Sequence, residues 1–265
     1  MMHPSHHQEF DEIRGTWRRQ IDRPTLEAAL DRLKSLADEF PYVLAIGHEI
    51  VLVLEKLGRI DEAITQLKNL ERQFKKLDEE TLCRWGKLFK KQAITALQPP
   101  ADLTQALQDL DEAARYYARA FEVQRGFYPR INELSLQFYR AAVLNDLGKT
   151  EEARLLLEEV RRKAAQMLAD SDVWRPRKDD DHVWVLATKG EAAVLAHSWT
   201  DAEARYAAAV LTARSQRFYL DVMRDQMKLL VDACRRLGIL PVDHALADPD
   251  AYFHHDGNHP DHLVA

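Results

Sequence analysis

The chain repeats one of its own segments, and this repeat constrains the fold more than any other feature. The stretch Val53–Ala63 (VLEKLGRIDEA) returns ninety residues later as Val143–Ala153 (VLNDLGKTEEA), and six of the eleven positions are identical. Each copy is typical of a helix end, a glycine turn and an acidic first turn that opens the next helix. An internal repeat of this kind indicates an array of stacked helical units. The sequence therefore predicts an all-α repeat fold, with Gly58 and Gly148 at the turns.

The composition supports this fold class and narrows the class of function. Apolar residues make up 46% of the chain, enough for a continuous core, and the dominant residue types are good helix formers. The net charge of −6 gives no electrostatic reason to expect nucleic-acid binding, since that function leaves a basic footprint. No apolar run approaches the length of a membrane span, and the two cysteines lack ligand spacing. We therefore expect a cytoplasmic protein that binds neither nucleic acid nor membrane.

The second helix of each pair carries a small residue at a fixed position. Ala29 and Ala63 are 34 residues apart, and Leu33 and Leu67 follow them four positions later. Thirty-four residues is the period of the tetratricopeptide repeat, and the chain resembles that family. The same alanine position recurs later in the chain at Ala113, Ala153 and Ala202.

Two glycines inside first helices complete the pattern. Gly86 and Gly190 are expected to let the two helices of a pair approach closely. The sequence thus predicts a tetratricopeptide-like α-solenoid of about five helix pairs with a C-terminal capping helix. The predicted organisation is a disordered N-terminus over 1–9, a repeat domain over 10–237, and a disordered tail rich in His and Asp over 238–265.

Four motifs in order give a narrower resemblance. They are Gly86–Lys90, Ala113–Phe121, Tyr128–Asn132 and Trp184–Ala192. In order and spacing they are similar to the TRAFs-binding domain of apoptosis-signal-regulating kinases, in its prokaryotic stand-alone form, over roughly residues 80–215. The resemblance implies a scaffold that engages signalling proteins or, as proposed for prokaryotic members, a sensor of nucleotide-derived signals in defence systems. Arg130 stands where that family usually has glycine, so a ligand contact at this position is in doubt.

The first helices of a repeat array line its usual binding surface, and polar residues mark candidate positions there. One interpretation is a pocket for a phosphate or carboxylate, with lysines as point charges, an amide reader and a stacking tryptophan. The other is a solvated helix face whose side chains only fix the repeat geometry. The candidates are Lys87, Lys90, Lys91, Arg130, Asn132, Trp184 and Glu191.

A polar loop supplies a candidate for partner binding. Trp174 lies next to Arg175, with Arg177 close by. An aromatic residue beside arginines has the composition of an interface anchor. It could equally fold back onto a neighbouring helix.

The sequence gives little support for metal binding or catalysis. The segments 3–7 and 254–262 are rich in histidine but poor in the core-forming residues that fix ligand geometry, so we expect no functional metal site. Asp179–His182 could hold a divalent ion, although aspartates in a polar loop are usually solvated. His197 stands at the turn position of Gly58 and Gly148, which favours a structural role. No hydrolase or phosphate-loop motif occurs, so we expect neither an enzyme nor a cofactor.

Three hypotheses of function remain. The first is a non-enzymatic scaffold or adaptor that binds a protein partner in a signalling or defence complex. The second is a sensor whose first-helix surface binds a small anionic, nucleotide-derived ligand and regulates a partner effector. The third is a hydrolytic or metal-dependent activity hidden in the loops.

Overall fold

The computed structural model describes residues 4–74, 76–170, 181–213 and 217–253. Over these ranges the regular structure is helical. A single-turn 3-10 helix occupies Ala245–Ala247. The α-helices in chain order are α1 (Pro4–Arg19), α2 (Arg23–Glu39), α3 (Leu44–Lys56), α4 (Ile60–Gln73), α5 (Glu79–Ala96), α6 (Leu103–Val123), α7 (Phe127–Asp146), α8 (Thr150–Ala169), α9 (Asp181–Leu195), α10 (Trp199–Ala213), α11 (Arg217–Arg236) and α12 (Pro249–Tyr252).

The chain divides into two compact units, Met1–Leu88 and Phe89–Ala265. The first holds α1 to α4 and the beginning of α5, and the second holds the rest of α5 and the later helices. The division therefore falls inside α5, close to where the resemblance to the TRAFs-binding domain begins. At the N-terminus, α1 starts at Pro4, inside the stretch that the sequence suggested to be disordered. Its buried Phe10, Ile13 and Trp17 supply the apolar contacts that hold it.

The two copies of the repeated segment form the same turn. Gly58 and Gly148 both have φ of +75°, a left-handed conformation that glycine adopts without steric cost. In each turn the following amide reaches back to the last helical turn, at 2.9 Å from Arg59 N to Leu54 O and from Lys149 N to Leu144 O. These bonds satisfy carbonyls that a helix end leaves open.

The same turn occurs at two further places in the chain. His197, with φ of 61°, closes α9, and the Ser198 amide bonds the Ala193 carbonyl at 2.8 Å. Gly238, with φ of 68°, closes α11, and the Ile239 amide bonds the Cys234 carbonyl at 3.0 Å. His197 thus forms the kind of turn that the sequence suggested for it.

Small residues let the helices of each pair approach. A Cβ on Gly190 would lie 2.7 Å from Tyr206 Cδ2, and a Cβ on Gly47 would lie 2.5 Å from Leu70 Cδ2. The close packing at Gly47, between α3 and α4, was not anticipated from the sequence. The alanine positions and Gly86 are buried as well. These residues are Ala63, Gly86, Ala113, Ala153 and Ala202. The predicted fold class, an all-α tetratricopeptide-like α-solenoid, is confirmed.

The last long helix, α11, does not simply continue the stack. It packs chiefly on α7, with less contact to α9 and α10, whereas a further repeat would stack on the pair before it. The sequence predicted a capping helix here, and its position across the earlier first helices is an additional finding. α11 buries an apolar stripe that includes Leu220, Met223, Met227 and Leu230.

The chain after Gly238 folds as far as Phe253, although the sequence suggested a disordered tail from 238 onward. Leu246, Tyr252 and Phe253 are buried and provide the anchors. The Phe253 ring lies 5.6 Å from the ring of Tyr206, and the Tyr252 hydroxyl donates to the Glu203 carbonyl at 3.1 Å. We call residues 239–253 the C-terminal hook. The part of the tail from 254 onward lies outside the described residues.

Candidate functional site

The first helices of the second unit share a surface that we call the first-helix face, formed by α5 from Phe89 onward, α7 and α9. Two of the predicted binding residues, Lys90 and Glu191, come together there through a third residue. Ser135 Oγ and Gln226 Nε2 both donate to Glu191 Oε1, at 2.5 and 2.6 Å. Lys90 Nζ donates to Gln226 Oε1 at 2.8 Å. The resulting network joins α5, α7, α9 and α11.

The carboxyl group of Glu191 is deeply buried, with 8% of the residue exposed. Burial raises the pKa of Glu191, because the charged form loses its hydration. The hydrogen bond from Ser135, the positive charge of Lys90 and the hydrogen bond from Gln226 act in the opposite direction. The network therefore holds the Glu191 carboxyl group in a buried position where its negative charge is destabilising.

A second polar cluster joins α7 and α11 along the same face. The Tyr139 hydroxyl donates to Asp232 Oδ2 at 2.5 Å, and Arg236 Nε donates to the same oxygen at 2.9 Å. Arg236 Nη1 also donates to Asp146 Oδ2 at 2.8 Å. Burial and the neighbouring Asp232 carboxylate raise the pKa of Tyr139, so the phenol keeps its proton and remains a donor.

A small cleft lies between these two clusters. Lys90, Ser135, Tyr139 and Gln226 line it together with apolar residues that include Leu136. Its cavity volume is about 20 Å³, which is room for a single water molecule. No nucleotide or other organic ligand fits in this space as the helices stand. A ligand at Lys90 would therefore require α11 to move.

A wider depression lies where α11 meets the C-terminal hook. Its volume is about 440 Å³, and Lys228, Arg235 and Asp250 are among the residues that line it. Lys228 Nζ lies 2.7 Å from Asp250 Oδ1, and Arg235 Nη2 donates to the Ala247 carbonyl at 3.3 Å. These cationic groups are thus engaged within the chain, and no residue of the predicted site lies there.

The other predicted cationic and amide residues have local partners. Lys87 Nζ lies 3.0 Å from Glu55 Oε1 within the first unit, and Lys91 is exposed. Arg130 donates to Glu133 Oε2 at 2.7 Å, and its guanidinium lies over the ring of Phe121. Asn132 Nδ2 donates to the carbonyl of Tyr128, four residues earlier in the same helix, at 2.9 Å. The structure does not gather these four residues around one ligand.

Trp184 faces α11 rather than an open pocket. Its ring lies 5.1 Å from that of Tyr219 and 6.2 Å from that of Phe218. Phe218 is 67% exposed, so this aromatic cluster reaches the surface. Trp174, the predicted interface anchor, lies outside the described residues, as do Asp179 and Asp180 of the acidic loop.

Most of the residues that form the two polar clusters between α11 and the first-helix face were missed from the sequence. They are Ser135, Tyr139, Asp146, Gln226, Asp232 and Arg236. The one available signal is the placement of Gln226 directly beside Met227, in the middle of the apolar stripe of α11. A polar residue flanking such a stripe indicates a polar partner on the opposing helix, but it does not say which helix that is.

The first unit has a buried carboxylate of its own at Glu49. Trp17 Nε1 donates to Glu49 Oε1 at 3.0 Å, and Arg18 Nε and Nη2 donate to its two oxygens at 3.2 and 3.0 Å. Arg14 Nε lies 3.6 Å from Glu49 Oε2. The cluster ties α1 to α3, and it was not anticipated. Because Glu49 and Asp11 together already balance the two arginines, this cluster is better suited to fixing α1 than to binding an anion.

Two features of the described residues bear on other functions. None of the described helices combines the length and the apolar character that a membrane span requires. In the same ranges no group of three or more His, Cys, Asp and Glu side chains is placed to hold a metal ion. The histidine-rich segment 254–262 and His3 lie outside those ranges.

Comparison with known proteins gives one match. Residues 25–137 match the family model described as Tetratricopeptide Repeats-Sensor. The match covers less than half of the chain and supports a tetratricopeptide-like family for it. It does not test the narrower resemblance to the TRAFs-binding domain, which remains a prediction. The comparisons with curated proteins and with solved structures find no match.

Proposed function

We propose that the chain is a non-enzymatic helical-repeat scaffold that binds a protein partner through its first-helix face. One observation carries this proposal: the first-helix face already holds a helix, α11, by an apolar stripe with polar anchors. Tetratricopeptide-type repeats generally mediate protein interactions, and helix-in-groove binding is a recurring mode of recognition. A signalling or defence complex is the setting that the resemblance favours.

The chemistry of the polar network supports the non-enzymatic part of the proposal. Ser135 is buried, and its hydroxyl donates to Glu191, which Gln226 also holds. A nucleophilic serine needs a base that takes its proton and an open approach for the substrate. The cleft beside Ser135 has room for one water molecule only. The network is therefore suited to joining helices.

Affinity capture from the native cell tests the scaffold role. The tagged full-length chain is expected to retain a stoichiometric partner. Lys91→Glu on α5 and Trp174→Ala are expected to weaken retention at least tenfold. Lys68→Glu, an equally exposed charge reversal on the second helix α4, serves as the matched control and is expected to retain the partner. Recovery of the chain alone, or equal retention by all variants, contradicts the proposal.

A sensor of a small anionic, nucleotide-derived ligand is the second candidate. It is favoured by the description of the matching family model as a sensor. Lys90 would supply the positive charge, and α11 would have to shift to make room. Thermal-shift screening against nucleotides is expected to show a ligand that stabilises the wild type but not the Lys87→Ala/Lys90→Ala variant. A screen without any stabilising nucleotide rejects the sensor role.

A further inference from the structure

We infer that α11 occupies, within its own chain, the docking site for an amphipathic helix of a protein partner, and that the two helices compete. The inference rests on the proposed function and names the chemistry of the partner. It also names the event that opens the site, which is the release of α11 from α7 and α9.

The position of α11 is the first line of evidence. Three first helices contact it with polar side chains: α5 through Lys90, α7 through Tyr139 and α9 through Glu191. A helix that only capped the stack would contact the last pair, α9 and α10. Instead α11 packs chiefly on α7, two helices before α9. It therefore takes the position of a ligand of the first-helix face.

The side chains of α11 define the partner. Its buried stripe includes Met223, Met227 and Leu230, at the spacing of one helix face. Methionine side chains adapt to irregular surfaces and are common where one surface accepts several partners. Between them stands Gln226, and Asp232 follows as the acceptor for Tyr139. The fitting partner is a helix with Leu or Met at these spacings, a neutral amide and one carboxylate.

The polar content of this junction makes α11 easier to exchange than a helix inside a pair. Glu191 and Lys90 lose hydration where they meet α11, which offsets part of the gain from apolar burial. The α9–α10 pair, by contrast, is closed by Gly190 against the ring of Tyr206. Because α11 is tethered, its effective concentration at the face is high, and a free helix binds well only when α11 is loosened.

A peptide with the sequence of residues 217–237 provides the probe. Fluorescence anisotropy would measure its binding to the full-length wild type and to Gln226→Ala/Asp232→Ala, which loosens α11 and leaves the face unchanged. We expect the loosened chain to bind the peptide at least tenfold more tightly than the wild type. Adding Tyr139→Phe to that chain should weaken binding of this peptide, but not of a peptide that carries Asp232→Ala.

Two results overturn the inference. One is the lack of saturable binding to the loosened chain while circular dichroism shows that its helices remain. The other is equal binding to the wild type and the loosened chain, since the peptide then binds at a surface that α11 does not cover.

A measurement on the wild type covers the case in which the loosened variant does not fold. Hydrogen exchange should open the amides of α11 at a lower free energy than those of α7, and excess peptide should accelerate exchange in α11 alone. If α11 and α7 open together, α11 is a permanent part of the core and the inference is wrong. The peptide tests need no native partner. The inference can therefore fail while captured partners still support the scaffold role. Equally, the scaffold role can fail while the peptide results support the inference.

Discussion

Tyr139 donates its phenolic hydrogen to Asp232 across 2.5 Å, and this bond joins α7 to α11. Asp232 also accepts from Arg236, which in turn bonds Asp146. The hydroxyl of Tyr139 therefore links a buried aromatic side chain to the charged groups of Asp232, Arg236 and Asp146. The same bond holds α11 against α7, the helix on which it chiefly packs.

Replacing Tyr139 with phenylalanine removes the hydroxyl and preserves the ring. Hydrogen bonds to charged acceptors contribute about 1.5–3 kcal/mol, so Tyr139→Phe should lower the free energy of unfolding by roughly 1–2 kcal/mol. In the background of Asp232→Ala the same substitution should cost much less. Urea denaturation of the two single variants and the double variant gives the coupling energy. Additive costs would show that the bond does not stabilise the α7–α11 junction.

Gly190→Ala tests the close approach of α9 and α10. The new Cβ would lie 2.7 Å from Tyr206 Cδ2, and Tyr206 is 1% exposed, so its ring has no free space to move into. Overpacking of this kind costs about 1–3 kcal/mol. Thermal denaturation should show the loss. Gly15→Ala is the matched control, since the new Cβ there meets only the mobile end of Arg19, and it should cost little.

Substitutions at two turns with positive φ are expected to change the free energy of unfolding in opposite directions. His197 adopts φ of 61°, where a residue other than glycine is strained, and its Nε2 is buried without a hydrogen-bond partner among the described residues. His197→Gly should therefore raise the free energy of unfolding by roughly 0.5–1 kcal/mol. Gly148→Ala, at φ of +75° in open space, should lower it by about 1 kcal/mol. Equilibrium unfolding of both variants measures these two changes in the free energy of unfolding. A destabilised His197→Gly would mean that the imidazole packing outweighs the strain.

The pH dependence of Glu191→Gln follows from its buried carboxyl. Because burial raises the pKa of Glu191, the folded chain takes up a proton at higher pH than the unfolded chain does. The carboxylate therefore costs stability at neutral pH, and this cost disappears as the pH falls below the unfolded value near 4.5. Glu191→Gln should stabilise the chain by about 1 kcal/mol at pH 7 and by little at pH 4.

Unfolding of wild type and Glu191→Gln across that pH range checks the expectation. Glu158→Gln, an exposed partner of Arg154, is the control and should change stability little at either pH. A loss at pH 7 that disappears at pH 4 would mean that Lys90 and the two hydrogen bonds more than compensate the buried charge.

Local signals in the sequence were sufficient to predict the helix pairs. The turns at Gly58 and Gly148 were visible because only a few residue types tolerate their backbone conformation. His197 could be placed at the same kind of turn by its position after a first helix. Gly47 was missed because its large neighbours Ile46 and Ile50 are aliphatic, without the aromatic residues that mark Gly86. Its closeness to Leu70 is a property of the folded pair.

The arrangement of the site could not be predicted in the same way. An amphipathic pattern says that α11 buries one face, but it does not say which helix covers that face. Lys90 and Glu191 were chosen from the family resemblance, and Gln226, which joins them, lies outside the matched motifs. The folded C-terminal hook was missed because its anchors, Leu246, Tyr252 and Phe253, are few and stand among prolines and aspartates.

The C-terminal hook has a consequence for how copies of this chain meet. The last helix pair of a repeat stack has an apolar side on which a further pair would pack. When that side is uncovered, it tends to associate with other molecules. Here Phe253 covers Tyr206 on α10, while Glu203 and His244 pair 3.2 Å apart beside it. A second molecule approaching this end meets a rim of polar groups. The C-terminal hook thus occupies, within the same chain, part of the surface on α10 that a further helix pair would cover.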